Sequence, residues 1–176
     1  LQTVRKKTDS NGKGGFIIQN LNIKNSHFKN STRGAVGALT GYMKGRWTIK
    51  NVHLIRDTAN QEASDTTPAT VDVSGSGQVH AGGLVGIIDY YSTNASDSTI
   101  QDITFDHSGV TGQENKEAII STATNVGGIV GYVEGSQNNV YTYYGTITFT
   151  DCNVSYAQIQ TNGGNAGGFI GRVGYS

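Results

Sequence analysis

The residues of this chain that could do chemistry are few. Asp102, Asp106 and Asp151 are the acids that can be placed near one another. Two carboxyls about 5 to 9.5 Å apart across a groove are what a retaining or inverting glycosidase requires. These three therefore define one functional reading, a carbohydrate-active enzyme, either a polysaccharide lyase or a hydrolase. The four histidines, His27, His53, His80 and His107, stand 26, 27 and 27 residues apart, which invites a metal ladder. No H-x-x-x-H or E-x-x-H cluster accompanies them, and that even spacing is read as coincidence. Cys152 is the only cysteine, so no internal disulfide is available. Glycine-rich stretches such as "NVGGIVGYV" match neither G-x-x-x-x-G-K-[ST] nor G-x-G-x-x-G, so no phosphate cradle is expected.

Aromatic residues offer more. Two insertions, "DYYSTNASDS" from Asp89 and "EGSQNNVYTYYG" from Glu134, carry Tyr90, Tyr91, Tyr141, Tyr143 and Tyr144, and Tyr132 precedes the second of them. Tyrosine gives rigid amphipathic area for stacking on sugars or packing on protein, and loops on a scaffold edge commonly carry function. These six form a candidate recognition patch for a glycan or protein receptor. The rival expectation is that the loops fold down over an apolar strand face, with Val85, Ile87, Val130, Ile170 and Tyr132 read as pointing outward.

What must position these groups is a repeat. "VGALTGYM", "AGGLVGII", "VGGIVGYV" and "AGGFIGRV" align on Gly37, Gly82, Gly127 and Gly167, at steps of 45, 45 and 40 residues. That period belongs to stacked architectures. A second segment follows the same rhythm: "IQNLNI", "IKNVHL", "IQDITF" and "FTDCNV", beginning at Ile18, Ile49, Ile100 and Phe149. Both are short, β-branched and bounded by glycine and polar residues, as strands are. Aligned columns of Leu39, Leu84, Ile129 and Phe169, and of Met43, Ile88, Val133 and Val173, are expected to face inward, flanking an all-glycine column of Gly41, Gly86, Gly131 and Gly171. The glycines are expected to make room for a bulky facing residue or to mark a bulge. Leu21, Val52, Ile103 and Cys152 share another apolar column, so Cys152 reads as a small enclosed residue rather than a nucleophile.

Asn20, Asn51, Asp102 and Asp151 form a polar column within the second segment. Stacked Asn or Asp at a bend can satisfy turn backbone and bond along the ladder. Asp102 and Asp151 would be like charges about 4.8 Å apart, which makes them weak metal candidates. The G-G-x-G-x-D calcium repeat is absent, and no metal or other cofactor is expected. A threonine column, Thr48, Thr99 and Thr148, is too short for an ice-binding array.

The "GGLVG", "GGIVG" and "GGFIG" segments resemble the GLUG repeat of large bacterial surface and secreted proteins; the first copy departs from it with Ala38. The resemblance implies a parallel β-helix-like solenoid with a non-catalytic role.

The totals fit such a protein. The chain has 176 residues, 25 glycines, one proline and 15% charged residues, and its 13 basic and 13 acidic residues cancel. No net charge draws it to nucleic acid or an anionic membrane, and its apolar runs fall short of the roughly 20 residues of a membrane helix. The sequons at Asn30, Asn94 and Asn153 decide nothing. The expectation is one all-β domain over residues 1–176, a right-handed parallel β-helix of about four irregular coils. It would be a structural or adhesive module of an extracellular or cell-surface protein. Since neither end reads as a cap, its partners would be neighbouring coils of a longer chain or head-to-tail copies of itself.

Overall fold

In the computed structural model every described regular element is a β-strand. The structure describes residues 4–8, 14–24, 26–30, 33–44, 46–55, 72–75, 79–89, 98–106, 118–122, 124–135, 146–155, 157–161 and 163–175. The first strand is β1 (Val4–Thr8). A first quartet follows: β2 (Gly14–Lys24), β3 (His27–Asn30), β4 (Gly34–Gly37) and β5 (Thr40–Lys44). The second is β6 (Trp47–Ile55), β7 (Asp72–Gly75), β8 (Val79–Gly82) and β9 (Val85–Asp89). The third is β10 (Ser98–Asp106), β11 (Ala118–Thr122), β12 (Asn125–Gly127) and β13 (Val130–Gly135). The fourth is β14 (Ile147–Ser155), β15 (Ala157–Thr161), β16 (Asn165–Gly167) and β17 (Ile170–Tyr175).

Each quartet adds one strand to each of four sheets. Their orders are β1-β2-β6-β10-β14, β3-β7-β11-β15, β4-β8-β12-β16 and β5-β9-β13-β17. Pairing between quartets is parallel throughout, for example Ile18 with Ile49, Ile49 with Ile100 and Ile100 with Phe149. β1 is the exception: it lies antiparallel on β2 and occupies the outer edge of the first sheet. Nothing in the repeat pattern marks that strand in the sequence.

The first sheet is built around a change of parity. Its inward columns are Ile18, Ile49, Ile100 and Phe149, then Leu21, Val52, Ile103 and Cys152, then Ile23, Leu54, Phe105 and Val154. The first two are three residues apart, whereas a regular strand returns to the same face every two. Asn20, Asn51, Asp102 and Asp151 absorb the extra residue in left-handed conformations, with φ of 58°, 54°, 54° and 51°. Asn and Asp tolerate that region better than other residues with a side chain, so both apolar segments meet the core.

The glycine segments turn differently. Each aligned stretch is two strands rather than one, because the chain bends at Ala38–Leu39, Gly83–Leu84, Gly128–Ile129 and Gly168–Phe169, between the third and fourth sheets. Backbone bonds run from quartet to quartet through the bends: Leu39 N–H donates to Leu84 O, Leu84 N–H to Ile129 O and Ile129 N–H to Phe169 O. The bend corrects the expected facing. Val85, Val130 and Ile170, expected to point outward, face the core instead: the two valines are fully buried and Ile170 packs against it. Nor do the column glycines receive a bulky side chain. A Cβ on Gly41 would lie 2.6 Å from Ala35 O, on Gly86 2.6 Å from Val36 N, on Gly131 2.7 Å from Ala81 N and on Gly171 2.6 Å from Val126 O. Backbone of the fourth sheet rests on backbone of the third, at a separation no side chain permits.

Candidate functional site

Of the six tyrosines singled out from the sequence, Tyr90, Tyr91, Tyr141, Tyr143 and Tyr144 lie outside the described residues. Tyr132 lies within them, enclosed by its neighbours. It sits on β13 in register with Ile87 and Arg172 and is only 6% exposed. Its ring stacks on His80 with centroids 4.9 Å apart. The Arg172 guanidinium carbon lies 5.7 Å from the ring centroid, within cation–π range. Burial, followed by the nearby Glu134 carboxylate, raises the phenol above its ordinary pKa.

His80 continues into a ladder across the third sheet. Asn165 Nδ2 donates to Asn125 Oδ1 at 2.8 Å, and Asn125 Nδ2 lies 2.8 Å from His80 Nδ1. The register places His80, Asn125 and Asn165 directly opposite one another on β8, β12 and β16. An amide nitrogen only donates, so Nδ1 of His80 accepts and its proton sits on Nε2. Asn125 is buried, and an amide so enclosed costs about 1–3 kcal/mol if left unpaired; the ladder satisfies it on both sides. Burial pushes the His80 imidazole below its usual pKa, with Glu134 acting against that and Arg172 adding to it. Comparing the four histidines only with one another hides this group. The signal lay in the alignment: "HAGG", "NVGG" and "NAGG" put His80, Asn125 and Asn165 in one column.

A second polar group lies beside it. The Tyr42 hydroxyl donates to Asp89 Oδ2, and Lys44 Nζ approaches the same oxygen at 3.0 Å. Partial burial and the Asp89 carboxylate push the Tyr42 phenol up to about 12.

The acids of the enzymatic reading sit in the first sheet. Asp102 and Asp151 occupy the left-handed corner with Asn20 and Asn51, as a structural turn requires. At that corner Asn51 Nδ2 donates to Asn20 Oδ1 at 2.8 Å, and His53 Nε2 donates to Asn51 Oδ1 at 2.5 Å. The side chain of Asp106 falls outside the described residues, as do that of His27 and the whole of His107. Among the described residues no three His, Cys, Asp or Glu side chains converge as metal ligands. Cys152 is half-buried against the core, donating weakly to Ile100 O and Thr150 O, and burial raises its thiol pKa. A thiol held protonated is a poor nucleophile.

Together these groups form polar ladders that tie successive quartets by directional hydrogen bonds. Comparison with known proteins finds no matching family model, no matching curated protein and no matching solved structure.

Proposed function

We propose that this chain is a segment of right-handed parallel β-helix, of the kind its GLUG-like repeats suggest. On this reading it serves as a non-catalytic structural or adhesive module of an extracellular or cell-surface protein. The observation that carries this reading is that every quartet delivers one strand, in register, to each of four sheets. A chain that returns to the same four sheets in the same order is winding, and parallel crossovers wind right-handed in nearly all known cases. Stacked repeats bury a continuous core that no single one can bury.

The mode of action is association through the outer edge of the last quartet. Phe169 and Val173 are 44% and 69% exposed there, while Ile129 and Ile88 in the same columns are buried. A further quartet with the same columns, from a longer chain or a second copy, would cover both residues and pair β14 to β17. The opposite face is unlike it, because β1 already occupies the first-sheet edge. Tyr90, Tyr91, Tyr141, Tyr143 and Tyr144, in the insertions after β9 and β13, are the recognition patch of this reading. Light scattering over a range of concentrations, paired with electron microscopy, tests it. End-to-end rods that lengthen with concentration support association; a monomer at every concentration contradicts it. Glycan-array binding that is lost in Tyr143→Ala and Tyr144→Ala would support the recognition role.

A further inference from the structure

We propose that the His80–Asn125–Asn165 ladder is a proton-driven polarity relay, in which protonation of His80 reverses both amides and converts Asn165 from presenting a hydrogen-bond acceptor to presenting a donor. The geometry leaves few alternatives. With His80 neutral, donation runs from Asn165 to Asn125 to the ring, so Asn165 Oδ1 is left facing away from the ladder. A proton on Nδ1 sets two donors against each other across 2.8 Å. Asn125 is buried and cannot turn to water, so it must rotate its amide and accept from Nδ1–H. Its Nδ2 then faces Asn165, whose amide must rotate in turn. The outcome appears at an exposed residue on β16, two strands from the proton. The proposal does not rest on the associative function above.

The surroundings decide when this occurs. The charged groups that act on His80 are Glu134 on β13 and Arg172 on β17, with the Tyr132 ring stacked on it. From β9 comes Asp89, already engaged by Tyr42 and Lys44 of β5. β4, β11 and β12 carry no titratable side chain, and β7 brings Asp72, whose backbone pairs with His27 of β3. Burial lowers the His80 pKa, so the neutral direction is the resting one. The sign follows from linkage: the stability His80 contributes is complete above the unfolded value near 6.5 and is lost as pH falls through the lower folded value. Each pH unit between the two costs tenfold in the folding equilibrium below that window.

The test is nitrogen-15 NMR of the whole chain between pH 7.5 and 4.5. The expected result is that His80 Nδ1 is unprotonated at pH 7.5 and titrates below 6.5. The side-chain amides of Asn125 and Asn165 should shift with the same midpoint. In Asn125→Val, His80 should still titrate while the Asn165 amide no longer follows it. In His80→Asn, which keeps an amide in the ladder, the Asn165 shift should disappear. A proton on Nδ1 at pH 7.5, or an Asn165 amide indifferent to the titration of His80 in the wild-type chain, would overturn the proposal whether or not either variant folds.

Discussion

The chain turns in two ways, and the two corners make opposite demands on side chains. At the contact between third and fourth sheets, Gly41, Gly86, Gly131 and Gly171 succeed because they have no Cβ. At the bend within the first sheet, Asn20, Asn51, Asp102 and Asp151 succeed because of what they carry: short polar side chains that tolerate positive φ and can bond from quartet to quartet. One corner is fixed by steric exclusion, the other by local conformational preference. The first should therefore be intolerant of any substitution, and the second should accept a small set.

The largest effect is expected at the glycines. Gly131→Ala places a methyl 2.7 Å from both Ala81 N and Ala81 O, which are backbone atoms that cannot swing aside. Overpacking of this kind costs about 3 kcal/mol or more, and thermal unfolding followed by circular dichroism should show it. A wild-type midpoint would mean the two sheets can part at this column. The polar corner should yield less. Asn51→Ala loses the bonds to Asn20 and His53 and leaves the left-handed position without the short polar side chain that tolerates it, at about 2–3 kcal/mol together. Asn51→Gly should recover roughly 1 kcal/mol of that loss, since glycine takes the conformation freely. Urea midpoints for the pair, with Asp102→Asn as the near-neutral control, measure the contrast; equal losses for Ala and Gly would remove conformation from the account.

Smaller effects sharpen the same comparison. Cys152 follows directly after a corner residue, and its thiol pKa is raised by burial. Alkylation by iodoacetamide at pH 8 should be several-fold slower than for a free cysteine and should accelerate on unfolding. The Tyr42–Asp89 bond in the fourth sheet should give the smallest effect, and one confined to alkaline pH. The Tyr42 pKa is raised to about 12, so the stability it contributes is complete below 10 and disappears as pH rises from 10 to 12. Tyr42→Phe should remove that alkaline loss, as read from denaturation midpoints at pH 9 and 12.

What could be read from sequence follows from the same contrast. The left-handed corner was legible because polar residues recur in one column amid apolar ones, and its neighbours Ile18 and Leu21 are three apart. The glycine bend was not. "AGGLVGII" is apolar at nearly every position, so alternation cannot reveal where the chain changes sheet, and Val85 and Val130 were assigned outward for that reason. The whole second sheet was missed, since "HFKN", "DVSG", "AIIST" and "AQIQT" are short and only one column, Phe28, Val73, Ile120 and Ile159, is apolar in all four. The antiparallel β1 carries no repeat signature either. At the candidate site, Tyr132 was singled out for the chemistry of its ring, whereas its partners His80 and Arg172 become neighbours only through the register of separate quartets.

The central claim is the in-register stacking of quartets, and spin labels test it most directly. Thr48, Thr99 and Thr148 lie opposite one another on β6, β10 and β14. Labels at all three, in a Cys152→Ala background, would stand about 4.8 Å apart along the ladder. The account predicts that their spectrum collapses towards a single exchange-narrowed line, and that moving the central label to Gln101 restores resolved hyperfine structure. Three sharp, unbroadened lines from the triple-labelled chain would contradict it.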